Sequence, residues 1–169
     1  MSHSPDIETL SPILPRHLRE CLGSFTTGVV VVTTLGTEGR PVGLTINSFN
    51  SVSLDPPLIL WSLALKAPSL EAFRASSAFV INILAEDQED LGRRFATPSA
   101  DKFAGVDFAP GLTGAPVLAD TAAHLECRTY ARYPGGDHEI YIGEVTALQD
   151  RGHAPLVYHR GGFRRLRDD

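Results

Sequence analysis

The chain has almost no sulfur. Two cysteines, Cys21 and Cys127, stand among 169 residues. Two thiols cannot build a disulfide framework, and their spacing matches no metal-ligand motif. Both read as buried apolar residues in a reduced compartment. Long apolar runs are missing too, since no stretch approaches the roughly 18 residues of a membrane helix. No basic start followed by an apolar segment opens the chain, so no signal peptide is expected and the expected location is cytoplasmic. Positive charge is scarce: 15 Lys and Arg face 20 Asp and Glu, a net charge of −5. A phosphate backbone needs a basic surface, which argues against nucleic acid as the main partner. Only the tail from Arg160 to Arg167, with Arg164 and Arg165, is locally basic, and it reads first as a soluble end.

Several signatures of chemistry are also absent. No Gly-x-Gly-x-x-Gly follows a strand, so a Rossmann dinucleotide fold has no support. There is no Walker loop, no His-Glu-x-x-His and no Gly-x-Ser-x-Gly elbow. The six histidines, His3, His17, His124, His138, His153 and His159, fall at no ligand spacing. No metal site is expected.

What is present is a chain of one-domain length with ordinary globular composition, 43% hydrophobic and 21% charged. Residues 1–14 are polar with two prolines and predict a loose arm; residues 15–169 predict one domain. Pro15 opens a short helix through Cys21, with Leu18 and Leu22 on one face. Val29 to Thr34 is a β-branched run, a buried strand. Gly36 to Gly39 turns the chain, and Pro41 to Ile46 returns it as a hairpin. Leu58 to Leu63 and Phe79 to Leu84 are further apolar strands. A helix starts at Ser69, as N-cap, with Leu70 and Phe73 inward. Asp87 to Phe95 predicts another, with Leu91, Arg94 and Phe95 at helical spacing. Residues 98–116 predict a long surface excursion. His124 to Tyr133 alternates, with Leu125, Cys127, Thr129 and Ala131 on one face and His124, Glu126, Arg128, Tyr130 and Arg132 on the other. A turn at Pro134 to Asp137 leads to a return strand from His138 to Leu148. Leu156 to Tyr158 is the last apolar segment. Six or seven strands with two or three short helices, linked mainly by turns, predict a largely antiparallel β-barrel with helices outside it.

Three places could carry chemistry. From Gly43 to Leu58 the chain sets Thr45, Asn47, Ser48, Ser51 and Ser53 within nine residues. Short hydroxyls let the backbone approach a phosphate or a ring edge. The same pattern also fits a plain Ser-rich turn ending at Pro56-Pro57. Gly135-Gly136-Asp137-His138 offers open backbone and a hydrogen-bonding pair, or simply a hairpin turn with an edge histidine. Lys66 precedes the Ser69 helix and could neutralise a phosphate, or be a solvated turn lysine. Asp101-Lys102-Phe103 alone reads only as loop.

In series, these segments resemble one family. Val30-Val31-Val32-Thr33-Thr34, Gly43-Leu44-Thr45-Ile46-Asn47-Ser48-Phe49, Ser51 to Leu58, Asp101-Lys102-Phe103-Ala104-Gly105, Gly136-Asp137-His138 and Pro155-Leu156-Val157-Tyr158 stand in order. The chain resembles the short-chain flavin reductases that serve two-component flavin-dependent monooxygenases, over about Pro15 to Leu166. Within them it is most similar to reductases supplying hydroxylases of aromatic and polyketide compounds. The resemblance implies a mainly β split barrel that binds FMN or FAD, usually as a homodimer, with a few short peripheral helices. It implies hydride transfer from NADH or NADPH to flavin, and diffusion of reduced flavin to a separate monooxygenase. By the same resemblance, Thr45, Ile46, Asn47 and Ser48 lie near the ring and ribityl chain, with Ser51, Val52 and Ser53 alongside. Ser53, Lys66 and Ser69 fall on the phosphate side, and Gly28 and Val29 pass close to the ring. His138 seats the nicotinamide, with Tyr158 and Arg160 in the same pocket. Ile46 is bulkier than the small residue expected there, which would narrow the flavin pocket. Trp61 is unusual in its strand and fills the core. FMN and FAD stay open, as do NADH and NADPH. A non-catalytic flavin carrier is the rival reading, and a barrel that keeps its flavin is a third.

Overall fold

The computed structural model describes residues 12–166. Most of the expected arm, residues 1–11, and the tail from Arg167 lie outside the described residues. Helix α1 (Pro15–Leu22) leads to β1 (Thr27–Gly28) and β2 (Val30–Leu35). A 3-10 turn at Thr37–Gly39 precedes β3 (Pro41–Ile46), β4 (Asn50–Leu54) and β5 (Pro57–Ala64). Helix α2 (Leu70–Ala75), β6 (Ala78–Ile83) and α3 (Glu89–Ala96) follow. Then come β7 (Phe108–Pro110), β8 (Pro116–Leu118), β9 (Ala123–Gly135), β10 (His138–Asp150), β11 (Val157–His159) and β12 (Gly162–Arg164). The molecule is therefore mainly β with three short helices.

Seven strands form one antiparallel sheet in the order β3-β2-β6-β9-β10-β5-β4. Strands β1, β11 and β12 make a second sheet, and β7 pairs β8. The twelve strands among the described residues exceed the six or seven that periodicity predicts, because five of them have only two or three residues and carry no readable period. The large sheet does not close, since β3 and β4 form its two edges.

The Val29–Val32 run is buried on both faces, and its alternation feeds two apolar clusters. Val30 and Val32 join a cluster around Trp61, which stacks on Tyr141 at 4.7 Å and meets the edges of Phe73 and Phe79. Val42, Leu44 and Ile46 of β3 pack on this cluster, which also holds Ile59 and Leu63 of β5. The sheet therefore curls until its two ends share one core. Across the remaining gap the Ser48 hydroxyl accepts from the Ser62 amide at 3.0 Å. Val29 and Val31 enter the second cluster, with Leu84, Phe95, Phe103, Leu118 and Leu156. Trp61 is core, as its sequence setting predicts.

Four expectations need correction. The Ser-rich segment is strand rather than ligand loop at Ser51, Val52 and Ser53: β4 finds a partner in β5 from Asn50↔Leu60 to Leu54↔Pro57. Only the connection between β3 and β4, residues 47–49, is open backbone. Helix α1 keeps Leu18 and Leu22 in phase, yet none of its residues is buried, and Cys21 is exposed. It sits outside both clusters, tied by the Arg160 amide donating to Gly23 O. The alternation of β9 does not say which face is covered, and its polar face is buried at His124 and Glu126. The excursion covers it, and the Leu112 amide donates to Glu126 Oε2 at 2.6 Å. That excursion is not purely surface, because it sends Phe103 into the second cluster, with Val106 packed against it. Finally, Arg160 and Arg164 belong to a hairpin, β11–β12, rather than a loose basic end. Its turn residues Arg160 and Gly161 have φ of 46° and 78°, the geometry of tight hairpin turns.

Candidate functional site

Strand β3 is an edge strand, so part of its backbone lacks a ladder partner. Helix α3 lies against it. Gly43 makes this approach possible, because a Cβ there would sit 2.8 Å from the Phe95 ring. The Thr45 hydroxyl donates to Gly92 O of α3 at 2.7 Å. Lys102 Nζ donates to Phe95 O at 2.7 Å and so pins the end of α3 to the excursion. Burial lowers the pKa of that ammonium. The Asp101 carboxylate accepts from the Phe103 and Ala104 amides, both at 3.0 Å. Thus Asp101-Lys102-Phe103 is an anchored corner, with Phe103 in the core.

Two clefts flank this β3–α3 contact and share Thr45 and Ala96. The first, about 480 Å³, is walled by Val29, Ile46, Asn47, Arg93, Thr97, Tyr158 and the β11–β12 hairpin. Tyr158 and Phe163 pack edge to face at 5.6 Å along that wall. The second, about 680 Å³, runs along Pro41–Thr45, Ala67–Ser69 and Pro98–Phe103. Both volumes suit small-molecule ligands. The walls offer planar aromatic surface, short hydroxyls, an amide, edge-strand backbone and two cations.

The structure brings together Val29, Thr45, Ile46, Asn47 and Tyr158 in the first cleft. Ser69 lines the second, and no side-chain cap bond engages it despite its N-cap position. Gly28 is on exposed β1, paired to Val157. Ser48 spends its hydroxyl on Ser62. Ser51 and Val52 are exposed on β4, and Ser53 accepts from the Asp55 amide. Arg160 is exposed beside the first cleft, donating to Ser24. Lys66 is exposed in the turn after β5.

His138 lines neither cleft. It opens β10 opposite Ala64, after a turn that Gly136 makes at φ 68°. Its Nδ1 lies 2.7 Å from Asp137 Oδ1. Hydrogen bonding to His138 holds the Asp137 carboxyl below its ordinary value, and Lys66 adds in the same direction. The Leu65 amide donates to Asp137 O, so Lys66, Asp137 and His138 form one cluster. From Ala64 the chain turns directly to Ala67, which walls the second cleft.

Sequence reasoning missed Arg93, Thr97 and Phe163, and read Lys102 only as loop. Arg93 and Thr97 are one helical turn apart, which marks a shared face but not what that face meets. Phe163 sits in a three-residue strand with no period to reveal it.

A family model, the flavin reductase like domain, matches residues 22–167. The chain is 46% identical to a probable flavin reductase of Rhizobium meliloti over 88% of its own length and 48% of that protein. It thus spans about half the length of that relative. It is 45% identical to the FMN reductase (NADH) SmoA of Agrobacterium fabrum, covering 89% of this chain and 86% of that one. Among solved structures, the NADH:FAD oxidoreductase SgcE6 of Streptomyces globisporus superposes with a TM-score of 0.87 at 38% identity, covering 99% and 96% of the two chains. With nearly the whole domain matched in sequence and in fold, the chain belongs to the flavin-reductase-like family.

Proposed function

We propose that this chain is an NAD(P)H:flavin oxidoreductase that reduces free FMN or FAD and delivers the product by diffusion to a separate flavin-dependent monooxygenase. The observation that carries this reading is the pair of clefts along the β3 edge, whose walls fit a flavin. A flavin needs donors and acceptors along one ring edge, apolar contact on its faces and an anchor for its phosphate. Edge-strand backbone with Thr45 and Asn47 supplies the first, and Val29, Ile46 and Tyr158 the second. Ser69, with its uncommitted hydroxyl, and Lys102 stand where the second cleft could take the phosphate. Relatives named for FMN reduction with NADH and for NADH-dependent FAD reduction support the cofactor pair and favour NADH as donor. Others named as reductase components of flavin-dependent monooxygenases support the partner.

A bound flavin supplies the hydride acceptor. The chain's residues orient two planar ligands and keep them in contact, which hydride transfer requires at about 3–3.5 Å. No strong acid or base is needed at the transfer itself. His138 lies opposite Ala64, one tight turn from Ala67 on the wall of the second cleft. Asp137 holds its Nδ1, and its Nε2 has no partner among the described residues, leaving it free to seat the nicotinamide. We further read the curled, open sheet as a split barrel. Exposed Val52 and Leu54 on edge strand β4 support a homodimer. A reduced, cytoplasmic setting fits the two free thiols.

The test is loss of nicotinamide absorbance with NADH or NADPH and added FMN, FAD or riboflavin, for wild type and His138→Ala. Turnover that depends on free flavin and falls in the variant is expected. Flavin binding without oxidation overturns the reductase, and turnover unaffected by the substitution removes His138 from it.

A further inference from the structure

The first cleft holds a feature that the flavin alone does not account for. Arg93 is the one charged side chain on its wall. Its guanidinium lies over the Phe163 ring, 4.9 Å from the centroid, a contact that favours a cation. Nε and Nη2 both reach Glu89 Oε1. Nη1 makes no hydrogen bond among the described residues and is free to donate to a ligand. Beside it, Arg164 folds back across Gly162 and donates to Phe163 O at 2.7 Å. Arg93 thus offers a free guanidinium edge to the cleft on a protein of net charge −5. Gly161 and Gly162 leave the hairpin backbone low enough for close approach. A guanidinium edge of this kind matches phosphate oxygens.

We propose that Arg93 recognises the pyrophosphate of the nicotinamide dinucleotide donor in the first cleft. The proposal rests on the reductase reading. In the reading above the single phosphate of FMN lies at Ser69 in the second cleft, which leaves Arg93 for the donor's pyrophosphate. The donor's nicotinamide then meets the flavin ring within the first cleft, whose wall includes Thr45 and Asn47. Glu89 competes for the same guanidinium and weakens the site.

ADP-ribose, which carries the pyrophosphate without the nicotinamide, is the probe. Its dissociation constant is measured by calorimetry on the full chain, and that of FMN by fluorescence quenching. Arg93→Ala should weaken ADP-ribose about tenfold or more and raise KM for NADH in proportion. Arg93→Lys should recover part of the loss, and Glu89→Gln should tighten ADP-ribose. A gain of affinity cannot come from misfolding, so that second variant keeps the test valid if Arg93→Ala is unstable. Added salt should weaken ADP-ribose less in Arg93→Ala than in wild type. Unchanged ADP-ribose affinity in Arg93→Ala overturns the proposal. So does a loss confined to FMN with riboflavin unaffected, which assigns the arginine to the flavin phosphate. Because binding is read without turnover, a wild type that binds ADP-ribose through Arg93 but oxidises no NADH would sink the reductase reading while keeping Arg93 as a pyrophosphate site.

Discussion

The two faces of the Val29–Val32 strand run serve different ends. Val30 and Val32 face the Trp61 cluster, and none of its fully buried members lines a cleft. Val29 and Val31 face the second cluster, where Val29, Phe95 and Phe103 are both core and cleft wall. One strand thus separates a sealed interior, which supplies stability, from a half-open one, which supplies a binding surface. The second cluster can do both because α3 and the excursion cover it without closing it. A cluster that stays partly open gives up burial, so the sealed side must carry most of the fold's hydrophobic stabilisation.

Trp61→Ala is the strongest way to break that contrast. It should cost about 3–5 kcal/mol of stability, read by denaturant unfolding, while the FMN affinity of the folded fraction stays the same. A large change in that affinity would show that the faces are not separate. Gly43→Ala attacks the boundary. Its Cβ would meet the Phe95 ring at 2.8 Å and push α3 from β3. A cost of about 1–3 kcal/mol is expected, together with weaker flavin binding, because both clefts hang on that contact. Lost stability with unchanged binding would place the ligand elsewhere.

The smallest effect is a pH dependence on the sealed side. Hydrogen bonding from Arg74 holds the Glu139 carboxyl below its ordinary value of 4.5. A depressed carboxyl stabilises the fold above its unfolded pKa, and this contribution is lost as pH falls through the folded value. Wild type should therefore lose stability below about pH 4.5 more steeply than Glu139→Gln, followed by thermal unfolding across pH. Parallel profiles would remove the ion pair from the account.

Much of the fold is legible in the residues. β-branched runs, Gly-containing turns and the N-cap position of Ser69 place the main strands and α2 within a residue or two. The alternation of β9 is legible as well, but not which face is buried. Both His124 and Glu126 are buried, and for Glu126 the covering Gly111–Leu112 backbone encloses the carboxylate. The site divides in the same way. Thr45, Ile46, Asn47 and Tyr158 converge on one cleft, while Ser51 and Val52 are drawn off into a ladder and Ser48 into a cross-gap bond.

The sequence by itself determined what depends on neighbours along the chain: strand periods, turns, the family and the order of its motifs. Tertiary structure alone decided which side of β3 meets α3, that Arg93 and Phe163 share a wall, and that Lys102 anchors a corner. The physical reason is that a cleft is made by what packs across it. Residues such as Arg93 and Phe163, 70 positions apart in sequence, carry no mark of each other until the second cluster folds them together.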